Sequence, residues 1–147
     1  MEIINREAKF NYFILEEIEC GIVLLGTEIK AIRDGKTNLK DSYAIIKNNE
    51  VFLLNMYIGE YEEGNIFNHD TRRTKKLLLH NSEIKKLKKE IEQDGCTLVP
   101  LKLYFSKNRV KILLGLCKGK KSFDKRETIK NRELAREASR LHKYNYK

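Results

Sequence analysis

The chain has 147 residues, with 30 Lys plus Arg against 21 Asp plus Glu, a formal charge of +9 and a sequence pI near 9.4. Its hydrophobic share of 41% is enough for one packed core and excludes a largely disordered chain, while the charge selects a polyanionic partner such as RNA, DNA or an anionic surface. No apolar run reaches the roughly 18–20 residues of a membrane span, and the opening MEIINREAKFNYF has no signal-peptide core, so a cytoplasmic, unprocessed protein without a membrane partner is expected.

Taken in chain order, the body reads mainly as strands. Residues 11–25 form a long β-prone stretch interrupted at Gly21, where a bulge or bend is expected. Residues 27–34, closed by Gly35, suit a short helix. Residues 42–47 and 50–58 flank Asn48-Asn49, a pair that tolerates the positive φ of a two-residue hairpin. The segment 59–74 is a long connection for a small domain, and Leu77, Leu78 and Leu79 after it read as core. Ile84, Leu87 and Ile91 recur at helical spacing between Asn81, an expected N-cap, and Gly95, an expected stop. Leu101, Leu103 and Phe105 alternate with Lys102 and Tyr104, and Val110, Ile112, Leu114 and Leu116 alternate after a turn at Lys107-Asn108. Pro100, the one proline, falls near that strand's start. Short strands, few helices and no βαβ rhythm predict a mainly β fold: a small antiparallel oligonucleotide-binding-type (OB-fold-like) barrel with two or three short helices.

Charge divides the chain. Residues 118–147 hold eleven basic and four acidic side chains, a net of +7, which leaves +2 for residues 1–117. The expected domains are therefore a barrel over 1–117 and a basic tail over 118–147. The tail, KGKKSFDKRETIKNRELAREASRLHKYNYK, opens on a glycine and lysine cluster (Lys118, Lys120, Lys121). It then places Arg132, Arg136 and Arg140 four residues apart, on one helical stripe. Like charges at that spacing repel by roughly 0.2–0.5 kcal/mol a pair, and Leu134, Ala138 and Leu141 give only a narrow apolar seam. The tail is expected to be disordered alone and to become helical when a polyanion neutralises the stripe.

Candidates for covalent chemistry are few. Cys20, Cys96 and Cys117 are dispersed, odd in number and without a C-x-x-C, so buried reduced thiols are expected. His69, His80 and His142 are not spaced as metal ligands, and no metal or cofactor is expected. Glu28, beside Lys30 and Arg33 in GTEIKAIR, stands apart from the other carboxylates, and a structural ion pair is its plain reading. No phosphate loop, nucleophile elbow or zinc motif is present, and the chain is not expected to be an enzyme. In the 59–74 connection, Tyr57, Tyr61, Phe67 and His69 could stack on bases while Arg72, Arg73, Lys75 and Lys76 meet phosphates; a charged surface loop with aromatics capping the body is the other reading. A ribosomal protein that stays bound to ribosomal RNA would have the same composition.

Seven segments stand in the order and spacing of one family: NREAKFNYFI, ECGIVLLGTEIKAIR, NLKDSYA, EVFLLNMYI, NHDTRRTKKLLLH, TLVPLKLYF and GKKSFDKR. Over almost its whole length the chain resembles the SsrA-binding protein (small protein B) family, the bacterial partner of transfer-messenger RNA. It departs at Cys20, Ala31 and Thr71, where the family usually has alanine, serine and proline. The resemblance implies a non-enzymatic protein that grips the tRNA-like domain of transfer-messenger RNA and carries it, with elongation factor Tu, to stalled ribosomes for trans-translation. It implies that Asn5, Arg6, Glu28, Lys30, Arg33 and the 69–76 loop (His69, Arg72, Arg73, Lys75, Lys76) lie near that RNA. It further implies that the tail, carrying Lys120, Lys121, Phe123, Asp124, Lys125 and Arg126, enters the empty mRNA channel of the small subunit and reaches the decoding centre.

Overall fold

The computed structural model describes residues 1–63 and 68–145, setting aside the side chains of residues 122–124, 128 and 141–145. In chain order the elements are β1 (Glu2–Ile4), α1 (Ala8–Asn11), β2 (Tyr12–Ile22), α2 (Gly26–Arg33), β3 (Thr37–Asn38), β4 (Tyr43–Lys47) and β5 (Glu50–Leu54). Then come β6 (Tyr57–Ile58), β7 (Lys75–Leu78), α3 (Asn81–Asp94), β8 (Thr97–Ser106), β9 (Arg109–Gly119) and α4 (Ser122–Asn145). Among the described residues seven strands form one antiparallel sheet in the order β1-β8-β4-β5-β7-β2-β9, and β9 pairs again with β8; β3 and β6 form a separate two-stranded ladder. The expected mainly β class with few helices is what the chain adopts.

The hairpins follow local chemistry. Asn48 and Asn49 both take positive φ (52° and 60°) between β4 and β5, and Lys107 and Asn108 do the same (50° and 64°) between β8 and β9, the backbone twist that a two-residue connection requires. Gly95 closes α3 in the left-handed region at φ 64°. At the other end of α3 the expected cap moves by one residue: the backbone N–H of His80, not Asn81, donates to Glu83 at 2.9 Å.

Two register shifts correct the simple alternation. One lies in β2 between Ile14 and Glu16, around the exposed Leu15, and the other in β8 between Pro100 and Lys102. Gly21, the expected bulge, pairs regularly with Leu78 and Lys111. An extra residue flips the side chains beyond it to the other face. Leu98 and Leu103 therefore enter the main core with Cys20, Ile32, Leu53 and Ile112, whereas Val99 and Leu101 join Ala8 and Cys117 in a second cluster beneath α1. Pro100 is buried in the fourth position of β8, beside the shift, where a strand tolerates proline. The Leu77-Leu78-Leu79 run is also corrected: Leu77 is buried and Leu79 packs against the core, but Leu78 is 52% exposed.

Gly115 shows how tight the second cluster is, because a Cβ there would lie 2.9–3.0 Å from three atoms of the Leu101 side chain. Gly115→Ala should therefore destabilise the fold by about 1–3 kcal/mol through overpacking, read as a lowered urea midpoint with an unchanged slope.

Candidate nucleic-acid interface

Helix α2 organises the basic surface. Its N-terminus is closed by Glu28, whose Oε1 accepts the Leu25 backbone N–H at 2.7 Å, and its last turn carries Lys30 and Arg33, cations at the end the helix dipole favours. Ala31 and Ile32 bury the opposite face. Lys30 and Arg33 are exposed, and each lies over an aromatic ring: Lys30 Nζ is 5.3 Å from the Tyr61 centroid and Arg33 Cζ is 5.9 Å from that of Phe105.

Beneath this surface lies a buried charge cluster. Glu28 has no exposed surface; Arg73 Nη2 meets its Oε1 at 2.6 Å and Arg73 Nε its Oε2 at 3.3 Å, a two-pronged pairing across 45 residues. Lys75, also without exposed surface, donates from Nζ to the carbonyls of Arg73 (2.6 Å) and Met56 (3.1 Å) and stands 4.0 Å from Glu28 Oε2. His69 is buried as well; its Nε2–H donates to the Ile58 carbonyl at 3.0 Å, since a carbonyl can only accept, and its Nδ1 lies 2.8 Å from the Thr27 hydroxyl. Glu28, His69 and Lys75 thus offer no side-chain surface to a ligand. They tie the 59–74 connection to α2 and hold Arg73 half-exposed at the edge.

Around that base the connection is fixed by its own bonds. Asn68 accepts the Tyr61 N–H (2.8 Å) and donates to the Tyr61 carbonyl (2.7 Å), which sets the Tyr61 ring beside Lys30. Arg72 stacks over Tyr57 at 5.6 Å and donates to the Asn55 carbonyl at 3.0 Å. Lys76 is exposed and pairs with Glu50 at 3.2 Å. Phe67 lies outside the described residues.

The remaining predicted residues lie elsewhere. Asn5 donates from its side chain to the Pro100 carbonyl at 2.9 Å and from its backbone to Leu101 at 2.8 Å, so it pins β1 to the shifted part of β8. From Leu101 to Phe105, beside Arg33, is about 13 Å of extended strand. Arg6 is exposed in a cleft of mixed charge, with Lys9 and Lys102 set against Glu2 and Glu17. In the tail, Lys118, Lys121, Arg126, Arg132, Arg136 and Arg140 are exposed, and Lys120 and Lys125 are half-buried against α1 and its surroundings. Phe123 and Asp124 belong to α4, but their side chains are outside the described ones.

The sequence reading missed one surface. Val23 and Leu78 are exposed beside Gly21 in a groove whose rim includes Arg109 and Lys111. Period-two alternation through Lys75–Leu78 would have pointed Leu78 outward, but only after accepting a buried lysine at Lys75.

Among the described residues no group of His, Cys, Asp or Glu could hold a metal ion, and no helix is long and apolar enough to cross a membrane. Burial pushes the thiols of Cys20 and Cys117 up to about 12 and about 11, which keeps them protonated.

Burial lowers the Lys75 ammonium from 10.5 to about 8, with Glu28 opposing the shift. The unfolded chain therefore binds more protons between those values. The contribution of Lys75 to stability should rise with pH through that window, by at most about 3 kcal/mol. In urea unfolding, the stability of the wild type relative to Lys75→Met should grow from pH 7.5 to 10; a pH-independent difference would remove the buried-ammonium account.

The SsrA-binding protein of Acetivibrio thermocellus is 57% identical over 143 residues, 97% of this chain and 93% of that protein. That of Enterococcus faecalis is 54% identical over 141 residues, 96% and 92% of the two chains. A solved chain described under "tmRNA-SmpB: a journey to the center of the bacterial ribosome" is 48% identical and superposes with a TM-score of 0.69, covering 82% of this chain and 85% of that one. The family model for SmpB protein matches residues 2–144, and with this span and these identities the chain belongs to the SmpB protein family.

Proposed function

We propose that the protein binds the tRNA-like domain of transfer-messenger RNA (SsrA RNA) and delivers it, together with elongation factor Tu, to stalled ribosomes for trans-translation in the cytoplasm. The observation that carries this reading is the cation and aromatic surface around α2: Lys30 with Tyr61, Arg33 with Phe105, Arg72 with Tyr57. Phosphates and unstacked bases are recognised by that combination, and a folded RNA is read by its shape and exposed bases rather than through its deep groove. Asn5 and Arg6, the solvent-reaching Arg72, Arg73 and Lys76, and the Leu78–Lys111 groove extend the contact, with Glu28, His69 and Lys75 holding the loop from beneath. The cyclic pairing in which β9 returns to β8 supports an OB-type barrel as the rigid base of this surface.

The tail is a second working part. β9 continues to Gly119, two residues into the basic segment read from charge. The +6 segment beyond it enters the vacant mRNA path of the small subunit and reaches the decoding centre, where the arginine stripe of α4 meets ribosomal phosphate. A channel holding mRNA excludes the tail, which makes the tail a test of vacancy.

Arg33→Ala and Arg72→Ala should each weaken binding to transfer-messenger RNA by about 1–3 kcal/mol, with bulk tRNA unable to displace the wild type. The triple variant Arg132→Gln, Arg136→Gln, Arg140→Gln should keep that affinity within a few-fold while tagging of stalled products collapses. If affinity and tagging instead fall together and the preference over tRNA is lost with added salt, the protein is a general basic RNA binder, and a constitutive ribosomal protein becomes the better reading.

A further inference from the structure

The root of the tail is held by groups that the RNA surface does not use. Helix α1 has four residues, so its last carbonyls have no partner within the helix. Lys120 supplies two: its backbone N–H donates to the Asn11 carbonyl at 2.8 Å, and its Nζ to the Lys9 carbonyl at 2.9 Å. The same Nζ stands 4.9 Å from the centroid of Phe13, and Lys125, in the first turn of α4, stands 6.0 Å from that of Phe10. Phe13 is 46% exposed on β2, although an aromatic ring of that size ordinarily packs inward. Past Lys125 the contacts end: at residues 126, 127 and 129–140 every side chain is exposed. The seat itself is rigid, because Asn5 ties the segment ahead of α1 to β8 and Ala8 is buried with Val99, Leu101 and Cys117.

We infer that Phe10 and Phe13 are positioning residues that clasp Lys125 and Lys120 and so aim the C-terminal helix. The inference deepens the proposed function and rests on it only in assigning the aimed helix its work on the ribosome. A lysine over an exposed ring is favoured about two- to fivefold, so two pairs hold the clasp closed about five- to thirtyfold more often than open. The interaction needs a π face and a cation, not bulk. Leucine therefore fails in place of phenylalanine, and tyrosine serves.

The test uses the full chain carrying Lys40→Cys and Lys130→Cys, both exposed positions, with nitroxide labels on the two introduced thiols; the three native cysteines are buried. Pulsed electron resonance should give a narrow distance distribution, broadened by Phe10→Leu with Phe13→Leu and restored by Phe10→Tyr with Phe13→Tyr. Lys125→Gln removes a cation while leaving the packing of the body intact, and it should broaden the distribution in the same sense. A distribution unchanged in the leucine variant, or one that tyrosine does not restore, overturns the clasp. In a reconstituted tagging reaction the leucine variant should lose about twofold in rate, as the closed fraction falls to about one half, with transfer-messenger RNA affinity unchanged. Broadening with undiminished tagging would leave the clasp standing and overturn the ribosomal role of the tail instead.

Discussion

The interaction on which the α2 side of the molecule depends is the pairing of Glu28 with Arg73 over a buried Lys75. A carboxylate without solvent is tolerated only when cations and donors surround it. Glu28 has the Leu25 N–H, two prongs of Arg73 and the nearby Lys75 ammonium. Removing one partner of such a cluster leaves an uncompensated charge and costs roughly 3–5 kcal/mol. Three pieces of chain are thereby locked together: the start of α2, the approach to β7 and, through the Met56 carbonyl, the end of β5 and start of β6. The exposed cations stand on that lock. Buried electrostatics fixes the spacing of those cations more firmly than a solvated loop would.

The two strand irregularities serve the other side of the molecule. The extra residue in β8 returns Leu103 to the main core after Val99 and Leu101 have faced away from it, where with Cys117 they are covered by Ala8. One sheet is thus buried on both faces over part of its length. The outer cluster creates a firm shelf at the point where β9 ends and the tail begins. The α2 surface and the attachment of the tail are built on different cores.

Much of this was legible in the sequence where the cause is local. Asn48-Asn49, Lys107-Asn108 and Gly95 announce their turns because positive φ is a property of the residues themselves. The helical spacing of Ile84 and Leu87 announces the buried face of α3. The bulges were not legible, since an inserted residue is defined only against the partner strand. Leu78 was misplaced because three leucines in a row look like core, and the burial of Lys75 that reverses this depends on a glutamate 47 positions earlier. At the candidate site, charge and residue type picked out Lys30, Arg33 and Arg72, whose side chains are exposed. They also picked out Glu28, His69 and Lys75, whose work is internal, because a sequence does not distinguish a cation that meets solvent from one that meets a carbonyl.

Helix α4 has 24 residues, and at 1.5 Å per residue it is about 36 Å long. Held at one end, it behaves as a lever. A tilt of about 10° at the root carries the far end through about 6 Å. Small angular changes at Lys120 are thus magnified into displacements of several ångströms at the tip, and the shelf beneath α1 sets the molecule's mechanical tolerance as well as its attachment.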